Sequence, residues 1–170
     1  LKAHENLSGK KLQFYDPEMK ESYVPYVIET SIGLDRMFLA VFSSALQDED
    51  LGDGNSRTVL KLPAILAPVK AAVLPLLKRD GLPEIAREIV EDLKWDFNID
   101  YDEKDAVGRR YRRQDAAGTP FCITVDHDTK EDGSVTIRYR DSMKQERVQI
   151  KDLRAIIAKS VDFKSWLSQS

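Results

Sequence analysis

Seven consecutive apolar residues, Ala71-Ala72-Val73-Leu74-Pro75-Leu76-Leu77, constrain this chain more than any other stretch. A run that long without polar alternation suits a strand covered on both faces, with Pro75 at its end or against an edge. Covering two faces calls for helices, and the following residues supply them. Pro83 is favourable in a first helical turn, and Ile85, Ala86, Ile89, Val90 and Leu93 recur along one stripe. Trp95 to Tyr101 alternates apolar and polar residues like a half-exposed strand, and Asp105 to Ala117 is helix-compatible before Gly118. Phe121 to Val125 is a short apolar strand. Val135, Ile137 and Tyr139 alternate with Thr136, Arg138 and Arg140, and after a turn at Asp141-Ser142 a partner strand runs through Val148 and Ile150. Lys151 to Lys159 closes as a helix with Leu153, Ile156 and Ile157 inward. This order predicts an α/β fold of three layers, a mixed and mostly parallel sheet flanked by helices.

Before that domain, Tyr23-Val24-Pro25-Tyr26-Val27-Ile28 is an extended apolar run ending at Glu29-Thr30-Ser31-Ile32-Gly33. Leu34, Met37, Phe38, Val41, Phe42 and Ala45 then recur at helical spacing, the stripe of a helix packed on a core. Gln47 to Ser56 is acidic, Gly-bearing and without periodicity, which predicts an exposed connection. The expected division is residues 1–60 and residues 61–170.

Charge and composition narrow the function classes. A net charge of −3 argues against indiscriminate nucleic-acid binding, although an acidic domain can still present one basic face. Cys122 is the only cysteine, which excludes an intrachain disulfide, and with His4 and His127 as the only histidines no metal site is expected. No stretch approaches the roughly 20 apolar residues of a membrane-spanning helix, and the chain begins at Leu1, so a piece of a cytoplasmic protein is expected.

The strongest charge feature is Gly108-Arg109-Arg110-Tyr111-Arg112-Arg113-Gln114-Asp115. On a helix its four arginines fall within about 160° of one face, with Val107 and Tyr111 on the other. Guanidinium groups match phosphate oxygens in pairs and stack on exposed bases, a means of gripping single-stranded RNA loops. A solvated face paired with nearby carboxylates is the competing reading. In the first segment, Glu29 and Ser31 point the same way on an extended chain, Gly33 lets a flat ring approach the backbone, and Arg36 in the first helical turn suits a phosphate.

Together these residues resemble a known family. Tyr26-Val27-Ile28-Glu29-Thr30-Ser31-Ile32-Gly33-Leu34-Asp35-Arg36 resembles motif 3 of class II aminoacyl-tRNA synthetases in the form found in the glycyl enzymes. Asp105 through Pro120 resembles the anticodon-binding domain of the same enzymes. Thr30 departs from the family, where proline is common. The resemblance runs from about His4 to Ala158, with both motifs in the family's order and spacing.

The resemblance implies a glycine–tRNA ligase that activates glycine with ATP and magnesium and loads it on the tRNA for glycine, as a homodimer. Glu29, Thr30, Ser31 and Gly33 would form the glycine pocket. Gly33, Leu34 and Asp35 would hold ATP, and Arg36 its phosphate. Arg109, Arg112, Arg113, Gln114, Asp115 and Thr119 would contact tRNA. Glycine anticodons carry two adjacent cytosines, whose amines suit a carboxylate acceptor, and Asp115 is the candidate, with bracing of the Gly118-Thr119-Pro120 turn as its competing role. Motifs 1 and 2 of the class are absent before Val24, so the chain alone is expected to bind without catalysing. The alternative is a non-catalytic synthetase-like subunit that clamps nucleic acid; a plain nucleotide-binding module is disfavoured because no Gly-rich loop follows Leu77.

Overall fold

The computed structural model describes residues 1–52 and 54–168, and the chain divides into two units, Leu1–Arg36 and Met37–Ser170. In the first unit, α1 (Lys2–Ser8) precedes an antiparallel pair, β1 (Phe14–Asp16) and β2 (Glu21–Tyr23), in the register Phe14↔Tyr23. The Asp16 carboxylate accepts from the backbone N–H of Glu18 and Met19 at 2.8 and 3.1 Å, which shapes the turn. The Phe14 and Tyr23 rings meet edge-on with centroids 5.9 Å apart. Residues 24–33 make no strand ladder, contrary to the extended apolar strand expected there, and Tyr26 and Ile28 are almost fully exposed. A strand persists only where a neighbour pairs its backbone groups.

Helix α2 (Leu34–Ala45) forms where the periodicity predicts, yet its stripe is uncovered: Leu34, Met37, Phe38, Val41 and Phe42 are exposed and Ala45 alone is buried. Phe38 and Phe42 stack on each other at 5.8 Å, as residues four apart on a helix can.

The acidic stretch expected to be an open connection is instead a hairpin, β3 (Leu46–Gly52) with β4 (Asn55–Leu60); Asp53 lies outside the described residues. Two of its acids, Asp48 and Glu49, bond partners across the ladder. The Thr58 hydroxyl donates to Asp48 at 2.6 Å and Arg57 Nε donates to Glu49 at 2.7 Å. Arg57, Val59 and Leu60 are buried, so β4 has an inner face.

The second unit is built on five further strands: β5 (Ala71–Pro75), β6 (Ile99–Tyr101), β7 (Phe121–Val125), β8 (Ser134–Tyr139) and β9 (Gln145–Gln149), in the order β6-β5-β7-β8-β9. β5 pairs in parallel with β6 and β7, and β8 pairs antiparallel with β7 and β9, giving the mixed sheet. Helices α3 (Leu82–Leu93) and α4 (Val107–Ala117) form the crossovers, followed by α5 (Thr129–Asp132), α6 (Leu153–Val161) and α7 (Phe163–Leu167). One face packs Leu82, Ala86, Ile89 and Leu93 of α3 and Leu153 and Ile157 of α6 against Val73, Ile123, Val125, Val135 and Ile137. The other packs Tyr111 of α4 against Ala72, Leu74 and Cys122. Every residue of β5 is buried, as its uninterrupted apolar run requires. Burial pushes the Cys122 thiol up to about 12.

The strand expected from Trp95 shrinks to Ile99–Tyr101, because the N–H groups of Asp96 and Phe97 both return to Leu93 O and continue the end of α3. Trp95 is left 82% exposed. Gly118 closes α4 at φ 83, where an added Cβ would lie 3.1 Å from Leu60 O. Gly81, at φ 77, has open space around it. Gly118→Ala is therefore expected to cost about 2–3 kcal/mol and Gly81→Ala only about 1 kcal/mol, read from urea midpoints at unchanged slope.

Candidate nucleic-acid interface

β5 has its two successors on opposite sides, so α3 and α4 lie on opposite faces and the strand order reverses between β5 and β7. Such a reversal opens a crevice at the carboxyl ends of parallel strands, where α/β proteins place ligands. Here the crevice measures about 300 Å³ and is lined by Leu76, Val107, Tyr111, Thr124, Asp126, Thr136 and Gln145. Thr124 and Thr136 face each other across the β7–β8 ladder. They alternate with Ile123, Val125, Val135 and Ile137, which point into the core, so the polar members of these strands form the crevice floor.

The arginines of α4 divide into three roles. Arg109 and Arg112 are exposed and their side chains make no hydrogen bond or ion pair among the described residues. Arg113 is exposed but engaged, with Nη2 at 2.7 Å from Asp102 and Nη1 at 2.8 Å from Asp105. These carboxylates, Asp102 first, hold its guanidinium above the ordinary range, and Arg113 in turn holds Asp105 below its own. Arg110, expected on the outer face, is 2% exposed and points inward. It donates to Pro75 O at 2.6 Å, Asp105 O at 3.1 Å and Asp102 O at 3.2 Å, filling carbonyl valences where β5 and β6 end.

The remaining helix residues expected to touch RNA are buried. Gln114 donates to Asp100 at 2.7 Å and accepts from the Thr119 hydroxyl at 2.6 Å. Asp115 is 0% exposed, so the sequence expectation of a carboxylate presented to a base edge meets a different geometry. Arg138 grips Asp115 with both terminal nitrogens at 2.7 and 3.0 Å, and Arg57 of β4 adds Nη1 at 3.0 Å. Arg57 Nη1 also donates to Arg140 O at 2.9 Å. The Arg140 guanidinium donates to Leu60 O, Leu62 O and Gly118 O at 3.0, 2.7 and 2.8 Å. The hairpin is thus bound to α4 and β8 through two guanidinium groups.

Sequence reasoning missed Tyr111, Thr124, Thr136, Gln145 and Arg138. The polar positions of otherwise apolar strands were the signal available. Arg138 lies 4.9 Å from the Tyr111 ring centroid, and the Tyr111 hydroxyl shares a 2.7 Å hydrogen bond with Thr124. Lys78 and Arg79, exposed in the loop after β5, and Lys104, exposed in the loop after β6, stand at the same end of the sheet.

In the first unit, Glu29, Thr30, Ser31, Gly33, Leu34, Asp35 and Arg36 are all exposed. Glu29, Ser31 and Arg36 make no side-chain hydrogen bond or ion pair among the described residues. The Arg36 stem folds back on Gly33, whose added Cβ would meet it at 3.8 Å.

The family model described as "Anticodon binding domain" matches residues 70–160, and the chain belongs to that family. It is similar to glycine–tRNA ligases: 53% identical over 167 residues to that of Clostridium perfringens (strain 13 / Type A), covering 96% of this chain and 35% of that protein. It is 49% identical over 158 residues to that of Chlorobaculum tepidum, covering 93% of this chain and 33% of that protein. The chain therefore spans about a third of the length of the curated relatives it matches. Among solved structures it is similar to the RNA binding domain of threonyl-tRNA synthetase from Cryptosporidium parvum Iowa II, with a TM-score of 0.54, 22% identity and coverage of 59% of this chain and 25% of that chain, a likeness of fold.

The hairpin clamp has a pH signature. Lys61 first and Arg57 second hold the Glu49 carboxyl below its ordinary 4.5. A lowered folded pKa contributes stability that is present above the unfolded value and lost as pH falls through the folded one. The difference in urea midpoint between wild type and Glu49→Gln is therefore expected to be largest near neutrality, to shrink as pH falls below about 4.5 and to vanish only once pH has passed the lowered folded value.

Proposed function

We propose that this chain is the tRNA-recognising part of a glycine–tRNA ligase. The observation that carries the reading is a pair of unpaired guanidiniums, Arg109 and Arg112, on the helix that walls a polar crevice at the strand-order reversal. Phosphates of an anticodon loop lie along Arg109, Arg112, Lys78 and Lys104. An unpaired base enters the crevice, stacks against Tyr111, and meets the Thr124 and Thr136 hydroxyls and the Gln145 amide, which accept from a cytosine amine. Arg113, Gln114, Asp115 and Thr119 serve the same surface by holding α4 and its loops in place.

In the whole protein, cytoplasmic and homodimeric in this reading, Glu29 pairs with the ammonium of glycine, and Thr30 and Ser31 close its pocket. Gly33, Leu34 and Asp35 pass beneath ATP. Arg36 holds a phosphate of the magnesium-bound nucleotide and stabilises charge as pyrophosphate leaves. The uncovered stripe of α2 supports this reading, because an amphipathic helix of that kind is covered in its full context. Identity to glycine–tRNA ligases along nearly the whole chain favours it over a non-catalytic clamp.

The RNA reading is tested with a hairpin RNA whose loop carries two adjacent cytosines. Arg112→Gln is expected to weaken binding and to flatten the dependence of log Kd on log salt by about 0.7 to 0.9, while Arg113→Gln, already neutralised by Asp102 and Asp105, changes the slope less. Equal slopes in wild type and Arg112→Gln would remove the phosphate contact. In the full-length protein, Arg36→Ala is expected to depress glycine-dependent ATP–pyrophosphate exchange at least tenfold at about unchanged tRNA affinity, and the 170-residue chain alone to show no exchange.

A further inference from the structure

Six side chains form one continuous line from the hairpin to the crevice. Glu49 holds Arg57 at 2.7 Å, Arg57 holds Asp115 at 3.0 Å, and Asp115 holds Arg138 by a two-pronged contact at 2.7 and 3.0 Å. Arg138 lies 4.9 Å from the Tyr111 ring centroid, and the Tyr111 hydroxyl is fixed on Thr124 at 2.7 Å. The line ends there because Tyr111 and Thr124 wall the crevice.

We propose that Asp115 is a positioning residue for the crevice: without touching RNA, it fixes the plane of Arg138 and so the face that Tyr111 offers to an unpaired base. This rests on the RNA reading given above. Two features separate it from simple support of the fold. Burying a carboxylate with two guanidiniums carries a desolvation cost that apolar residues of similar volume avoid, so the arrangement does more than fill space. A planar guanidinium held by both prongs also cannot turn, and a ring with that guanidinium 4.9 Å from its centroid and its hydroxyl bonded keeps little orientational freedom. Base stacking depends on such a pre-set ring, whereas phosphate contacts do not. Arg57 brings the β3–β4 hairpin into the same assembly, so that a strand pair distant in sequence helps set the crevice wall.

The 170-residue chain is titrated with two hairpin RNAs, one with adjacent cytosines in its loop and one with abasic sites in their place. Asp115→Asn is expected to weaken binding of the cytosine loop by about tenfold, the scale of one lost base stack, with an unchanged salt slope and no loss on the abasic loop. Equal losses on both RNAs, or no loss on either, would overturn the proposal. Should Asp115→Asn not fold, Arg138→Lys supplies the same test: it retains the charge beside Asp115 but loses the planar fork, and is expected to show the same base-dependent loss. Failure of the wild-type chain to bind the cytosine loop would instead reject the RNA reading, and this proposal with it.

Discussion

The position of β5 between its two parallel partners is the constraint on which the rest depends. A parallel neighbour is reached only through a crossover, and a strand with its two successors on either side must send those crossovers over opposite faces. That gives β5 its full burial, puts α3 against the core shared with α6, and puts α4 on the second face, where the β3–β4 hairpin joins it through Arg57 and Asp115. Since α4 covers only part of that face, the polar side chains of β7, β8 and β9 remain beside it as a floor. The crevice follows from the connectivity before any particular side chain is considered.

Guanidinium chemistry then decides what the floor and wall become. One charge type is used in distinct ways within a short distance along the chain. Arg110 completes carbonyls at strand ends, Arg113 is spent on two aspartates, and Arg109 and Arg112 remain in water with their charge available. From outside the helix, Arg57, Arg138 and Arg140 enter the interior, each with carboxylate or carbonyl acceptors for its guanidinium. Among the described residues no buried side-chain nitrogen or oxygen lacks a hydrogen-bond partner, which is how so many interior charges are tolerated.

The sheet was legible because its strands carry uninterrupted or strictly alternating apolar residues, and the same periodicities located α2, α3, α4 and α6. Where the sequence misled, local pattern met a long-range partner. The β3–β4 hairpin reads as an acidic linker until Arg57 and Thr58 are seen facing Glu49 and Asp48. Arg110 shares a helical arc with Arg109 and Arg113, and only the carbonyl ends of β5 and β6 explain why it turns inward. Asp115 looks like a free acceptor beside a glycine turn, yet its partners stand 58 residues before it and 23 after it. Helical angle alone cannot reveal such partners. The resemblance of Glu29 through Arg36 to a synthetase motif was visible as a string of residues, and in the structure all of them are exposed.

Cys122 shows what full burial means for the chemistry of the chain as a whole. Its sulfur sits on the second face of β7, the middle strand of the sheet, between Ala72, Leu74 and Tyr111, with its proton held tightly by burial. A thiol reacts as its thiolate, so buried Cys122 presents no nucleophilic thiolate to oxidants or alkylating agents in the folded chain. As the only cysteine, Cys122 is therefore open to a thiol reagent only when its cover of Ala72, Leu74 and Tyr111 opens.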